Sequence, residues 1–247
     1  MTTYNYTVGT LTETAVTRSN YLTNETDSRD VYKFSTTGTS DINLSLSRIS
    51  SGDDADLRLY RDNGNGYFDS GDQWITSSSA SGNRDDAINA RGDAGTYFAE
   101  VVRYSPGSTG TVNYNLALSA TSPYSPSNLL PKEINLGDLS SDTTRSGYIS
   151  NYNTTDVYSF SLDFYEGTNI SLTGLSADAD IRLYQDNNNN GIVDTNELVR
   201  SSTNGGSSSE YISGIDLSGN YFLMVSQYGS SSTSYNLNFD HYTTTFA

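Results

Sequence analysis

The feature that most constrains this chain is that it contains one pattern twice. Asp30-Val-Tyr-Lys-Phe34 returns as Asp156-Val-Tyr-Ser-Phe160, and Asp54-Ala-Asp-Leu-Arg-Leu-Tyr60 returns as Asp178-Ala-Asp-Ile-Arg-Leu-Tyr184. Gly95-Thr-Tyr-Phe98 returns as Gly219-Asn-Tyr-Phe222, and Tyr114-Asn-Leu116 as Tyr235-Asn-Leu237. The order is the same in both halves, so the 247 residues must fold as two copies of one solution. Three of the four prolines fall between the copies, in Thr121-Ser-Pro-Tyr-Ser-Pro-Ser-Asn-Leu-Leu-Pro131. That composition reads as an extended linker. The expected organisation is a domain at 1–122, a linker at 123–131 and a second domain at 132–247.

Within each copy apolar residues alternate with polar ones. Ile42, Leu44 and Leu46 are separated by Asn43 and Ser45, and Tyr235, Leu237 and Phe239 by Asn236 and Asn238. A period of two puts every second side chain on one face, which is the signature of a half-buried strand. Tyr32 and Phe34, Leu57 and Leu59, and Tyr97, Ala99 and Val101 extend it, and neither half holds a helical stripe. Short strands punctuated by Gly, Ser and Asn turns predict an all-β chain of two tandem antiparallel β-sandwiches.

Charge and composition narrow the partners. With 13 Lys+Arg against 29 Asp+Glu the net charge is -16, so phosphate backbones and anionic lipid surfaces are repelled. Nucleic acid is excluded as a partner. No apolar stretch reaches transmembrane length, so membrane insertion is not expected either. The absence of Cys removes disulfides, thiolate nucleophiles and Cys-ligated zinc. Met1-Thr-Thr-Tyr-Asn-Tyr6 has neither the basic nor the apolar part of a signal peptide, an expectation compatible with a mature fragment or a leaderless export route.

Asp-x-Tyr-x-Phe, then Asp-Ala-Asp-Leu-x-Leu-Tyr, then Gly-x-Tyr and a closing Tyr-x-Leu resemble the bacterial pre-peptidase C-terminal (PPC) domain in both halves. The resemblance implies jelly-roll-like β-sandwiches of the kind appended to secreted proteases and other exported proteins, with relatives in clostridial collagenases that bind collagen and calcium. No peptidase sequence accompanies the repeats here. What the resemblance implies is a bacterial, secreted or cell-surface accessory domain rather than an enzyme.

The most chemically specific segment is Asp186-Asn-Asn-Asn-Asn-Gly-Ile-Val-Asp-Thr-Asn-Glu197. It fits Asp-x-Asn-x-Asn-Gly, five residues, then Glu, a calcium loop that delivers oxygens from positions 1, 3, 5, 7, 9 and 12. Those are Asp186, Asn188, Asn190, the Ile192 carbonyl, Asp194 and a bidentate Glu197, with Gly191 at the sharp turn. Its flanks, Ile181-Arg-Leu-Tyr184 and Leu198-Val-Arg200, read as strands, so the loop is expected without EF-hand helices. The first copy is one residue shorter, Asp62-Asn-Gly-Asn-Gly-Tyr-Phe-Asp-Ser-Gly-Asp72. With Gly66 matched to Gly191, Asn63, Asn65, the Tyr67 carbonyl, Asp69 and Asp72 keep their spacing, while Asp62 is out of register. Its shorter terminal acid predicts a calcium site that is weaker or absent. Asp54/Asp56 and Asp178/Asp180, before each loop, are second candidates for the metal shell.

Catalysis has little to build on. His241, the sole His, is expected to be exposed beyond the last strand, and the acids fall at calcium spacing rather than as a hydrolase pair. For a protein or polysaccharide ligand outside the cell, the candidate contacts are Tyr104 and Tyr228, in matching loops, and Trp74 after the first calcium loop. The resulting expectation is a noncatalytic, calcium-stabilised binding or accessory module. A structural or adhesive surface component and a hydrolase with an unrecognised site are the alternatives.

Overall fold

The computed structural model describes residues 2–23, 27–105, 110–124 and 133–244. The chain divides into two compact units, Met1–Pro131 and Lys132–Ala247. The first contains β1 (Thr2–Thr10), β2 (Val16–Thr23), β3 (Asp27–Thr36), β4 (Ser40–Ser47), β5 (Asp54–Arg61), β6 (Gln73–Ser78), β7 (Asp86–Gly92), β8 (Gly95–Ser105) and β9 (Thr111–Thr121). They form a five-stranded sheet ordered β1-β3-β8-β5-β6 and a four-stranded sheet ordered β2-β9-β4-β7.

The second unit repeats the scheme with β10 (Ile134–Asp138), β11 (Thr143–Ile149), β12 (Thr155–Leu162), β13 (Glu166–Thr173), β14 (Ala179–Gln185), β15 (Leu198–Ser202), β16 (Glu210–Ile215), β17 (Gly219–Gln227) and β18 (Thr233–Thr243). Its sheets are β10-β12-β17-β14-β15 and β11-β18-β13-β16. The only described helix is the short 3-10 turn Thr195–Glu197. Among the described residues no helix is long and apolar enough to cross a membrane.

Each unit has its own core, as the alternation requires. Leu57, Leu59, Ala99 and Val101 from one sheet join Ile42, Leu44, Leu46, Leu116 and Leu118 from the other, all completely buried. Ile181, Leu183, Leu223 and Val225 join Ile170, Leu172, Leu237 and Phe239 in the second unit. The alternation is less clean on β4 than its sequence suggests, since Asn43 and Ser45 are also buried. Asp41 on the same strand is held by the Arg91 guanidinium at 2.8 Å.

Among the described residues, all ladders are antiparallel but one in each unit. The first strand of each unit runs parallel to its neighbour, β1 beside β3 and β10 beside β12. Each parallel pair slips register at a glycine, Gly9 (φ 101°) and Gly137 (φ 72°), in the left-handed region that a bulge of this kind favours for glycine.

The duplicated landmarks meet in space. Tyr114 on β9 donates its hydroxyl to Asp30 on β3 and lies 2.7 Å from the Tyr32 hydroxyl, tying one sheet to the other through the core. Tyr235, Asp156 and Tyr158 repeat this arrangement. Burial pushes the Asp30 carboxyl up to about 6 and the Tyr32 phenol up to about 12, and it raises Asp156 in the same direction. Tyr97 and Tyr221, from the Gly-x-Tyr landmark, each donate to a carbonyl four residues upstream, Asp93 and Leu217, at 2.6 Å. The recurring Tyr and Asp residues therefore serve the fold.

Tyr124, in the expected linker, packs on the first unit: its N–H donates to Asp41 and the Arg91 guanidinium lies 4.4 Å from its ring centre. The expected linker positions 125–131 lie outside the described residues. His241 does not lie beyond the last strand. It sits within β18, opposite Thr168, because that strand continues to Thr243.

Candidate functional site

The second calcium-type loop leaves the end of β14 and returns through the 3-10 turn to β15. Asp186 and Glu197 are buried, 8% and 4% exposed. Their oxygens accept backbone N–H groups from around the loop. Asp186 accepts from Asn190 (3.0 Å) and Gly191 (3.1 Å), and Glu197 from Asn187 (3.0 Å), Asn188 (3.4 Å) and Asp194 (3.3 Å). Asn188 and Asn190 each accept the N–H two residues on and send their amide nitrogens to the same Asp194 oxygen, at 2.8 and 2.9 Å. Gly191 holds φ 73° at the turn, as position 6 of the loop demands. Asp186, Asn188, Asn190, Asp194 and Glu197 are thus brought together around one loop, with the Ile192 backbone inside the same turn.

The shorter first loop reaches the same pattern. Asp62, out of register in sequence, accepts the Gly66 N–H with both oxygens, at 3.0 and 3.2 Å, and so stands where Asp186 stands. Asp72 accepts from Asn63 (3.1 Å) and Asp69 (2.9 Å), as Glu197 does from the matching residues. Asn63 and Asn65 direct their amide nitrogens at Asp69, and the Asn65 amide oxygen accepts the Tyr67 N–H at 2.8 Å. Gly64, with φ 100°, occupies the position of Asn189, itself left-handed at 53°.

Sequence reading missed what anchors these loops. Phe68 packs edge-on to Tyr60 (5.1 Å between ring centres) and against Phe98 (5.5 Å), pinning the first loop to its sheet. Val193, one residue before Asp194 as Phe68 is before Asp69, is buried in the second. An apolar residue at the eighth loop position was the available signal. Lys33 was missed too: its Nζ donates to the Gly66 carbonyl at 2.7 Å.

Asp54 and Asp56 do not belong to the first loop's shell. β5 runs from Asp54 to Arg61, so an extended strand sets Asp54 roughly 23 Å from the loop end. β14 separates Asp178 and Asp180 from the second loop in the same way. The aromatic candidates are also dispersed. Tyr104 and Trp74 are both exposed, but Tyr104 lies on β8 itself, at the Asp54 end, whereas Trp74 pairs with Tyr60 at the loop end. Tyr228 is exposed just after β17 and donates its N–H to the Asp178 carbonyl. A carboxylate cluster that sequence reading did not find is Asp138, Asp163 and Glu166, whose oxygens lie within 4.8 Å of one another. His241 Nε2 is 3.6 Å from Glu166.

The fold and the two loops define a class: tandem β-sandwich modules carrying oxygen-lined loops on one sheet of each sandwich. Residues 28–103, within the first unit, match the sequence model of the Bacterial pre-peptidase C-terminal domain. No curated protein matches the chain. Among solved structures it is similar to the pre-peptidase C-terminal domain of collagenase from Bacillus anthracis, with 20% identity over 49% of this chain and 97% of that one and a TM-score of 0.33. It is also similar to PliG of Aeromonas hydrophila, a periplasmic inhibitor of g-type lysozyme, with 13% identity over 48% of this chain and 99% of that one and a TM-score of 0.30.

Proposed function

We propose that the chain is a noncatalytic accessory module of an exported bacterial protein, with both units stabilised by calcium in the loops Asp62–Asp72 and Asp186–Glu197. The carrying observation is that two loops of different length converge on one arrangement of carboxylates and amides. The candidate ligand groups are carboxylates, side-chain amides and backbone carbonyls, whose oxygens suit a hard cation. Loop 186–197 also buries two carboxylates, and among the described residues no basic side chain pairs with them. Buried charge without a counter-charge is costly, and a divalent cation would supply one.

In that reading Asp186, Asn188, Asn190, the Ile192 carbonyl, Asp194 and Glu197 hold the ion in the second unit. Asp62, Asn63, Asn65, the Tyr67 carbonyl, Asp69 and Asp72 hold it in the first. Lys33, donating to the Gly66 carbonyl, competes electrostatically with an ion there, so the first site is the weaker. The accessory role follows from the family, whose domains accompany secreted proteases. Isothermal titration tests the metal assignment. Calcium should bind with dissociation constants of about 10⁻⁴ to 10⁻³ M, the range of extracellular modules, and magnesium more weakly. No heat of binding up to ten-millimolar calcium would refute it.

A further inference from the structure

The duplication supplies an internal comparison at one place on the outer face of the five-stranded sheet. In the first unit Lys33 on β3, paired with Phe98, reaches across that face to the Gly66 carbonyl. In the second unit the matching residue is Ser159 on β12, paired with Phe222. A serine hydroxyl is too short to span to Gly191. Between them lies an open groove of about 590 Å³.

Two more exchanges change the same strip. Thr7, beside Lys33 in the parallel pair, becomes Asn135 beside Ser159. Thr96, opposite Ser35, becomes Asn220 opposite Ser161. The groove walls therefore carry Asn135, Ser159, Ser161 and Asn220, whose amide nitrogen donates to the Asn189 oxygen at 3.3 Å. The Asn190 side chain is taken up within the loop, and Asp186 is the one charged residue among the described lining. The Asn135 oxygen accepts the Gly137 N–H (2.9 Å) and the Ser159 hydroxyl (3.4 Å), which leaves its amide donors without a partner among the described residues. The Ser161 hydroxyl has none either.

This lining selects by chemistry. Among the described residues no Lys or Arg lines the groove, so it does not suit a phosphate or carboxylate. The rings of Phe160, Tyr221 and Phe222 are buried, 3%, 1% and 3% exposed, so no open ring face dominates the wall. Side-chain amides and hydroxyls both donate and accept, which matches the hydroxyls of a sugar. We propose that this groove of the second unit binds neutral saccharide units of an extracellular polysaccharide. The inference rests on the accessory-module reading only in giving the chain a ligand outside the cell, and it needs no ion in the loop.

The test is saturation-transfer NMR on the full chain with cellotriose, maltotriose, xylotriose and N-acetylchitotriose as probes at millimolar concentration. At least one should receive saturation from the protein. Ser159→Lys, which rebuilds the bridge found in the first unit, and Asn220→Ala should each cut that transfer by fivefold or more, with melting temperatures within a few degrees of wild type. Transfer undiminished in both variants would overturn the proposal by placing the sugar elsewhere. No transfer to any of the four probes would also overturn it, and if melting still responded to calcium the module reading would stand.

Discussion

Replacing Asp30 by Asn should flatten the pH dependence of the first unit's stability. Asp30 is completely buried and accepts the Tyr114 hydroxyl, yet burial still pushes its carboxyl from 3.8 up to about 6. Between pH 4 and pH 6 the folded unit therefore holds a proton that the unfolded chain has released. Stability must fall as pH rises through that window and level off above it, by about 3 kcal/mol for a shift of about two pH units. Asp86, also pushed up to about 6 by burial, adds a fall of the same sign, so the quantity to measure is wild type minus Asp30→Asn. Tyr114→Phe should act in the opposite sense. It removes a donor that favours the ionised carboxylate, extends the fall above pH 6 and costs about 1–3 kcal/mol more at neutral pH. Trp74 is the sole Trp, so its fluorescence during urea unfolding reports the first unit. Parallel pH profiles from 4 to 8 for wild type and Asp30→Asn would refute the reasoning.

Three further outcomes follow from the geometry. Gly191→Ala, at φ 73° with no atom within 4 Å of the added carbon, should cost about 1–2 kcal/mol through backbone strain alone, whereas Gly205→Ala, equally open but with no such φ, should leave the melting temperature nearly unchanged. Phe68→Ala should loosen the first loop from Tyr60 and Phe98, costing about 2 kcal/mol and speeding proteolytic cleavage between Asp62 and Asp72, with cleavage at the wild-type rate counting against the anchor. Because each unit has a core of its own, residues 133–247 alone should unfold cooperatively within a few degrees of the same transition in the full chain, as calorimetry would show.

The sheets were legible because core burial imposes a period of two, and the loops because acids, amides and a glycine recur at matching spacing in both copies. Ile42, Leu44 and Leu46 announce a strand without any partner being known. Strand direction leaves no such trace, since β1 and β10 carry the same alternation whether they run parallel or antiparallel to their neighbours. Asp30, Tyr32 and Tyr114 stood out as repeated residues, but their joint role depends on two sheets facing each other, with Asp30 and Tyr114 lying 84 positions apart in the chain. Asp62 was legible only in part. Spacing put it out of register, and the backbone path that brings its oxygens to the Gly66 N–H is one that local sequence permits without dictating. Lys33 and Ser159 differ visibly in the aligned copies, but only the fold shows that the difference bridges one loop to its sheet and opens a groove beside the other.

The central claim is that the two loops are calcium sites on which the fold depends, and thermal melting of wild type, Glu197→Gln and Asp72→Asn in calcium, in magnesium and in chelator tests it most directly. At about a hundred times the dissociation constant, calcium should add roughly 2.7 kcal/mol per site and raise the melting temperature of its unit by about 10 °C. Glu197→Gln should lose that gain in the second unit, and Asp72→Asn should lose a smaller one in the first. Wild-type melting temperatures that are equal in calcium, magnesium and chelator would contradict the claim.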